Sequence, residues 1–321
     1  MEIGSFIELQ FDKGHEYYKG DDVVRLNSGR SALVYAFMTL NCTKIYIPHY
    51  QCETVRNAFL RENIDISYYD ITSSFEPKLE KIEDNAAIII VNYYGIFSVE
   101  IIKKYASKYK NVIIDNSQAF FSKPLDGCLN VYSARKFVGV PDGAYVVGCC
   151  GDNLYESLEQ DYSSETSLFL LSRIEYGCEG QTYKNRSLNE KRIDNTGLRK
   201  MSKLTSTILD SINYEPIIKK RRENFEYASQ IFDSINELNV CNFYDENCVP
   251  MVYPLLISDE TAMNRLIEGK HFQGRWWHYV LNEVKPDTFE FRMSKYMIPI
   301  TIDQRYGTKE LDYIYSLVVN R

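Results

Sequence analysis

The chain is expected to fold as an α/β protein, with a large domain built on a mostly parallel sheet flanked by helices and a smaller C-terminal α/β domain. Three observations predict this. Short apolar or β-branched runs alternate with amphipathic stretches through residues 23–149, the pattern of strand–helix–strand units. The run 86–91, Ala-Ala-Ile-Ile-Ile-Val, is apolar at every position, as a central strand covered on both faces requires. Finally, strand signals stop between 154 and 232, where helical periodicity dominates, and resume at 249–257.

Residues 23–26 read as the first strand and 31–40 as the helix after it, with Leu33, Phe37 and Leu40 on one face and Val34 and Met38 beside it. Further strands are expected at 44–48, 64–69, 86–92 and 111–115, and a last pair at 128–132 and 143–149. Helices should fill 53–61, 77–83 and 99–109. In the helical stretch, 201–212 and 217–231 show the clearest periodicity, and Pro216 interrupts them. A strand at 249–257, a helix at 260–268, a strand at 297–301 and a closing helix at 308–319 complete the second α/β segment. The expected division is therefore 1–214 and 215–321.

Composition narrows the function. In 321 residues, 45% hydrophobic and 25% charged, a sizeable core can form, which excludes a disordered tail or a coiled coil. The charge sum, 37 − 44 = −7, gives no basic excess. The one basic run, Lys219-Lys220-Arg221-Arg222, is followed by Glu223 and Glu226 and reads as a solvated helix face, so no nucleic-acid partner is expected. The longest uninterrupted apolar stretch is 86–91, far short of the ~20 residues of a membrane helix, and the start carries no signal-peptide pattern. No membrane association and a cytoplasmic location are expected. The eight cysteines form no C-x-x-C pair and the four histidines no H-E-x-x-H, so no metal site is expected and the thiols read as reduced and buried.

Ligands of open α/β sheets bind at the carboxyl ends of the strands. Four polar segments follow predicted strands. In Asn27-Ser28-Gly29-Arg30-Ser31, glycine permits a tight turn and the helix start offers unpaired N–H groups, which suits a phosphate as well as an ordinary serine cap. In Tyr46-Ile47-Pro48-His49-Tyr50-Gln51-Cys52, rings and a thiol gather at a strand end. Asp115 ends the apolar run Val112-Ile113-Ile114, where a carboxylate needs a cationic partner or a capping role, and Gln118 follows three residues later. Lys136 lies in the loop Tyr132–Gly143 between two apolar strands, flanked by aromatic and aliphatic residues; a lysine there is either simply solvated or has a lowered pKa and can act as a nucleophile toward aldehydes.

In their joint order, these segments resemble the DegT-type sugar aminotransferases, a branch of the fold-type I pyridoxal 5'-phosphate (PLP) enzymes. The resemblance rests on Ser28-Gly29-Arg30-Ser31-Ala32-Leu33, on Ile114-Asp115-Asn116-Ser117-Gln118-Ala119, and on Lys136 followed by Asp142-Gly143-Ala144; Ile298–Tyr306 is similar to the family's C-terminal strand and turn. It implies that Lys136 carries PLP as a Schiff base and Asp115 pairs with the pyridinium nitrogen. It further implies that Gln118 bonds near the ring hydroxyl, that Ser28, Gly29, Arg30 and Ser31 hold the phosphate, and that Tyr50 or Cys52 lies against the ring. The activity implied is amino transfer, with glutamate as donor, to a nucleotide-linked keto sugar in polysaccharide biosynthesis. A homodimer with shared active sites is implied too, with 183–201 reaching across and Asn185 and Arg199 as candidates there.

The chain departs from the family pattern at three places. Arg30 stands where a small residue is usual, and Val131 where a serine is usual, with Ser133 as the candidate substitute. Val140-Pro141-Asp142-Gly143 replaces an acidic-glycine-glycine run. Two alternatives stand beside amino transfer: a PLP-dependent sugar dehydratase, against which Lys136 argues because the 3-dehydratases carry histidine there, and a non-catalytic homologue that binds a ligand or partner. Trp276-Trp277-His278 is either a sugar-pocket border or core, and Arg292 and Arg305 are either anion contacts or ion-pair members.

Overall fold

The computed structural model describes residues 5–319. One sheet is made of β1 (Val23–Leu26), β2 (Lys44–Pro48), β3 (Asp65–Tyr69), β4 (Ala86–Val91), β5 (Val112–Asn116), β6 (Leu129–Ser133) and β7 (Ala144–Val147), in the order β1-β7-β6-β5-β4-β2-β3. β7 is antiparallel to both neighbours and all other pairs are parallel, so β7 alone runs against the rest. The carboxyl ends of the other six strands therefore share one edge. β4 is buried at every position, as its unbroken apolar sequence requires; each of its isoleucines removed from water contributes about 2 kcal/mol.

Three helices belong to this alternating part: α1 (Gly29–Met38), α2 (Glu53–Arg61) and α3 (Val99–Ala106). The helix expected at 77–83 is absent. Phe75 adopts a left-handed φ of 61°, the chain turns back, and Pro77 pairs antiparallel with Ile71 while Lys78 N–H donates to the Asp70 carbonyl at 2.8 Å. Leu79 and Ile82 reach the core without a helix.

Next come α4 (Asn153–Ser157), α5 (Leu168–Tyr176), α6 (Gln181–Thr196), α7 (Lys203–Asp210) and α8 (Tyr214–Phe232). Pro216 does not interrupt α8 but sits in its first turn, where its missing N–H has no helical acceptor to lose; Asn213 caps the start by accepting from Glu215 N–H at 3.3 Å. In the C-terminal part, β8 (Val252–Leu256) pairs antiparallel with β9 (Met297–Thr301), accompanied by α9 (Ala262–Glu268), α10 (Phe289–Tyr296) and α11 (Thr308–Val319). One hydrophobic cluster runs from Ile88 and Ile113 in the large sheet to Phe225, Tyr253 and Ile300 around the small one.

Two expectations about polar residues need correcting. Arg221 is not on a solvated face: it is 2% exposed, while its neighbours Lys219 and Lys220 pair with Glu223 at the surface. The eight thiols are free, but only Cys248 is buried; Cys150 and Cys241 are exposed and the others half-buried. Arg305 forms a two-pronged pair with Asp303, both contacts at 2.8 Å, and Arg292 pairs with Glu237. No helix among the described residues is long and apolar enough to cross a membrane.

Candidate active site

The polar strand ends converge at the shared edge of the sheet. After β1, Ser28 caps α1, its hydroxyl accepting from Ser31 N–H at 3.2 Å, and Ser31 Oγ donates to the Gly197 carbonyl at 3.1 Å. The first turn of α1 holds no acidic side chain, and with Ser31 N–H taken by the Ser28 cap, the N–H groups of Gly29 and Arg30 and the partial positive charge of the helix start are what it offers an anion. A Cβ placed on Gly29 would meet Ser117 Oγ at 3.0 Å, Ser133 Cβ at 3.4 Å and Ser133 Oγ at 3.6 Å. The turn after β1, the turn after β5 and the last residue of β6 thus form a hydroxyl-lined cradle that only glycine leaves open. Ser133 is part of it, whereas Val131 is buried in the core opposite Asp115 in the β5–β6 register.

Asp115, at the end of β5, is 5% exposed. Its Oδ1 accepts from Ser117 N–H at 2.9 Å and its Oδ2 from Gln51 Nε2 at 3.0 Å, so both oxygens are fixed in direction. Lys136 lies in the short helical turn after β6. Lys136 is exposed, whereas Ala134 and Phe137 on either side of it are buried. Loss of hydration lowers its pKa; Asp115 and Cys52 oppose that shift, while Arg135 and Arg30 reinforce it.

Gln118 Oε1 accepts from Tyr94 N–H at 2.9 Å, which leaves its Nε2 as the group able to donate to a ligand. Of the two ring-contact candidates, Tyr50 is fully enclosed: its hydroxyl shares a hydrogen bond with Tyr94 at 2.7 Å and its ring meets Trp277 edge-on at 4.5 Å. Cys52, half-buried at the start of α2, is close enough to shift both Lys136 and Arg30 electrostatically. Trp276 and Trp277 pack on Tyr94 and Tyr50 at the junction with the C-terminal part.

The segment 183–201 folds onto its own chain. Asp194 pairs with Arg30 and Glu190 with Arg135, Asn189 Nδ2 donates to the Pro141 carbonyl at 2.7 Å, and Arg192 donates to Asp161 at 2.6 Å. Asn185 is not brought to the cradle: it bonds Gln181 within α6 at 2.9 Å and lies about 13 Å along the helix axis from Asp194. Arg199 pairs with Glu159 at 2.9 Å. Gln51, Ser117, Arg135, Glu190 and Asp194 join the site without having been singled out. Gln51 and Ser117 lie inside the polar segments already quoted, and Arg135 precedes the lysine directly.

No protein-family profile matches the sequence, and no characterised protein matches it at the sequence level. Solved structures do match in fold. The sugar aminotransferase CalS13 from Micromonospora echinospora superposes with a TM-score of 0.60 at 17% identity, covering 92% of this chain and 86% of that one. The aminotransferase TlmJ from Streptoalloteichus hindustanus gives 0.61 at 13%, covering 95% and 86%. NtdA from Bacillus subtilis, solved with bound cofactor PMP, gives 0.58 at 14%, covering 92% and 73%. The seven-stranded sheet and the lobe that follows it are thus the fold of these aminotransferases.

Proposed function

We propose that this chain is a PLP-dependent aminotransferase, taking its amino group from an amino-acid donor, glutamate, and passing it to a nucleotide-linked keto sugar in the cytoplasm. The observation that carries the reading is the convergence of Lys136, the doubly held Asp115 and the Gly29–Ser117–Ser133 cradle at one sheet edge. The residues fit the cofactor: a cradle emptied of side chain at Gly29 suits a phosphate, and a buried carboxylate suits a cationic ring nitrogen. PLP, when bound, supplies an electron sink for the electrons left on the donor carbon.

The chain's own residues do the rest. Ser28, Gly29, Arg30, Ser31 and Ser133 bind the phosphate end, where helix N–H groups favour an anion. Asp115, kept in place by Gln51 and Ser117, would pair with the ring nitrogen and hold a proton there. Gln118 Nε2 donates toward the ring oxygen, because its Oε1 is committed to Tyr94. Cys52 would lie against the ring. Lys136, its amine biased toward the neutral form by lost hydration, removes the proton from the donor carbon at Nζ and returns it on the other side of the transfer.

A second copy of the chain is the proposed partner. α5 buries none of its residues, and Leu168, Leu171, Ile174 and Tyr176 stand exposed, Ile174 at 84%. An apolar helix face of that kind calls for cover.

The test is the visible absorption spectrum of the protein with added PLP, before and after glutamate, for wild type and Lys136→Ala. A yellow band that Lys136→Ala removes and that glutamate bleaches is the expected result. A wild-type protein that forms no band would overturn the assignment.

A further inference from the structure

The C-terminal part grips the residue that follows Lys136. Arg221, on α8, is 2% exposed, and among the described residues no carboxylate lies within ion-pair distance of it. Its Nε donates to Gln304 Oε1 at 3.0 Å, and its Nη1 donates to the carbonyls of Pro250 at 3.2 Å and Met251 at 3.1 Å. The guanidinium carbon sits 4.6 Å from the centre of the Phe137 ring. Gln304, oriented by Arg221, donates Nε2 to the Phe137 carbonyl at 2.8 Å. Phe137 is thus held at both its ring and its backbone.

Burying a guanidinium among neutral acceptors costs stability, and an apolar side chain of similar volume would fill the space at lower cost. Asp303 offers little relief, because Arg305 already engages both of its oxygens. Burial draws the Arg221 pKa down to about 10. What the charge maintains is a geometry. The 250–251 segment it holds continues to the far wall of the site: Met251 N–H donates to the Tyr94 carbonyl at 2.7 Å, and Tyr94 N–H donates to Gln118 Oε1 at 2.9 Å. Tyr94 has a left-handed φ of 60°, unfavourable for tyrosine, and both of its backbone polar groups are held by this chain of contacts.

We propose that Arg221 is a positioning residue for Lys136: acting with Gln304 through Phe137, it sets the turn that carries the lysine against the wall that carries Gln118. The site's two halves are then held by a side chain that touches neither substrate nor cofactor. The inference rests on Lys136 being the reactive lysine.

The test uses the full chain without cofactor and with it. Reductive ¹³C-methylation places a reporter on lysine amines, and the Lys136 signal is assigned by its loss in Lys136→Arg. Asp115, Cys52, Arg135 and Arg30, the groups that face the amine, stay unchanged throughout. In Arg221→Met and Gln304→Met, the Lys136 titration midpoint should rise toward the ordinary lysine value, and PLP capture by the unmethylated protein should slow about tenfold. Arg221→Lys, which restores charge without the planar stack, should recover only part of either. Gln304→Met carries the test if Arg221→Met does not fold. A wild-type titration midpoint in well-folded Gln304→Met and Arg221→Met would overturn the proposal. Moved midpoints in a protein that never captures PLP would instead uphold the positioning role and sink the cofactor.

Discussion

Gln51 places its amide nitrogen 3.0 Å from Oδ2 of Asp115, so a residue from the β2–α2 turn sets the direction of a carboxylate on β5. With Ser117 N–H on the other oxygen, Asp115 has little freedom to rotate. Asp115→Asn should leave PLP capture intact and cut turnover ~10²-fold or more, the scale seen when one preorganised charge is removed. Gln51→Leu, which keeps the charge and loses its orientation, should cost less than Asp115→Asn. Single-turnover kinetics on both variants checks the order; equal losses would show that orientation matters as much as charge.

Gly29→Ala separates folding from binding. The new methyl meets Ser117 Oγ at 3.0 Å and Ser133 Cβ at 3.4 Å, inside the cradle and not in the core. Alanine in a helix is favoured over glycine by up to ~1 kcal/mol. The variant should therefore unfold at or above the wild-type temperature while PLP affinity falls at least ~tenfold. Absorbance titration alongside calorimetry measures both, and a lowered melting temperature with unchanged affinity would count against the cradle.

His271 gives the C-terminal part a pH dependence. Both ring nitrogens are buried with no hydrogen-bond partner among the described residues, and loss of hydration lowers the pKa from 6.5 to about 4. The folded state therefore disfavours the proton that the unfolded chain accepts. Stability attached to His271 is present above pH 6.5 and drains away as pH falls toward 4, with no further loss from this group below that. The full effect is on the order of 3 kcal/mol. Chemical denaturation between pH 7 and 4 should show a steeper loss for wild type than for His271→Phe; parallel curves would assign the dependence elsewhere.

The strand ends were legible because an alternating α/β sequence puts its ligand-facing residues just after each apolar run, and Ser28, Asp115 and Lys136 occupy those places. Two other features were not. Leu79 and Ile82 have helical spacing, but the bend at Phe75 that leaves 77–83 without a helix is a tertiary effect. Arg221 sits among acids and bases like any solvated residue, and what buries it, Phe137 and residues 250–251, is distant in sequence. The position of α6 was hidden for the same reason: Glu190 and Asp194 are one turn apart, as on countless exposed helices, and only the fold sets them against Arg135 and Arg30.

That placement of α6 leads to a prediction about charge. The fixed walls of the site bring together Arg30, Arg135 and Lys136 against the single carboxylate of Asp115, an excess of positive charge. Glu190 and Asp194 supply the balance from a helix that buries only Thr182, Asn189 and Ile193. An anion that enters the cradle competes with these carboxylates for the same guanidinium groups. Glu190→Gln should therefore bind inorganic phosphate about five-fold more tightly, equivalent to ~1 kcal/mol, with a stability change of no more than ~1 kcal/mol since the pair is half-exposed. Calorimetric titration with phosphate at two salt concentrations provides the check. The gain should shrink at high salt, where screening weakens the competing pair as well. Unchanged or weaker phosphate binding in Glu190→Gln would mean that Arg135 faces α6 alone and takes no part in holding the anion.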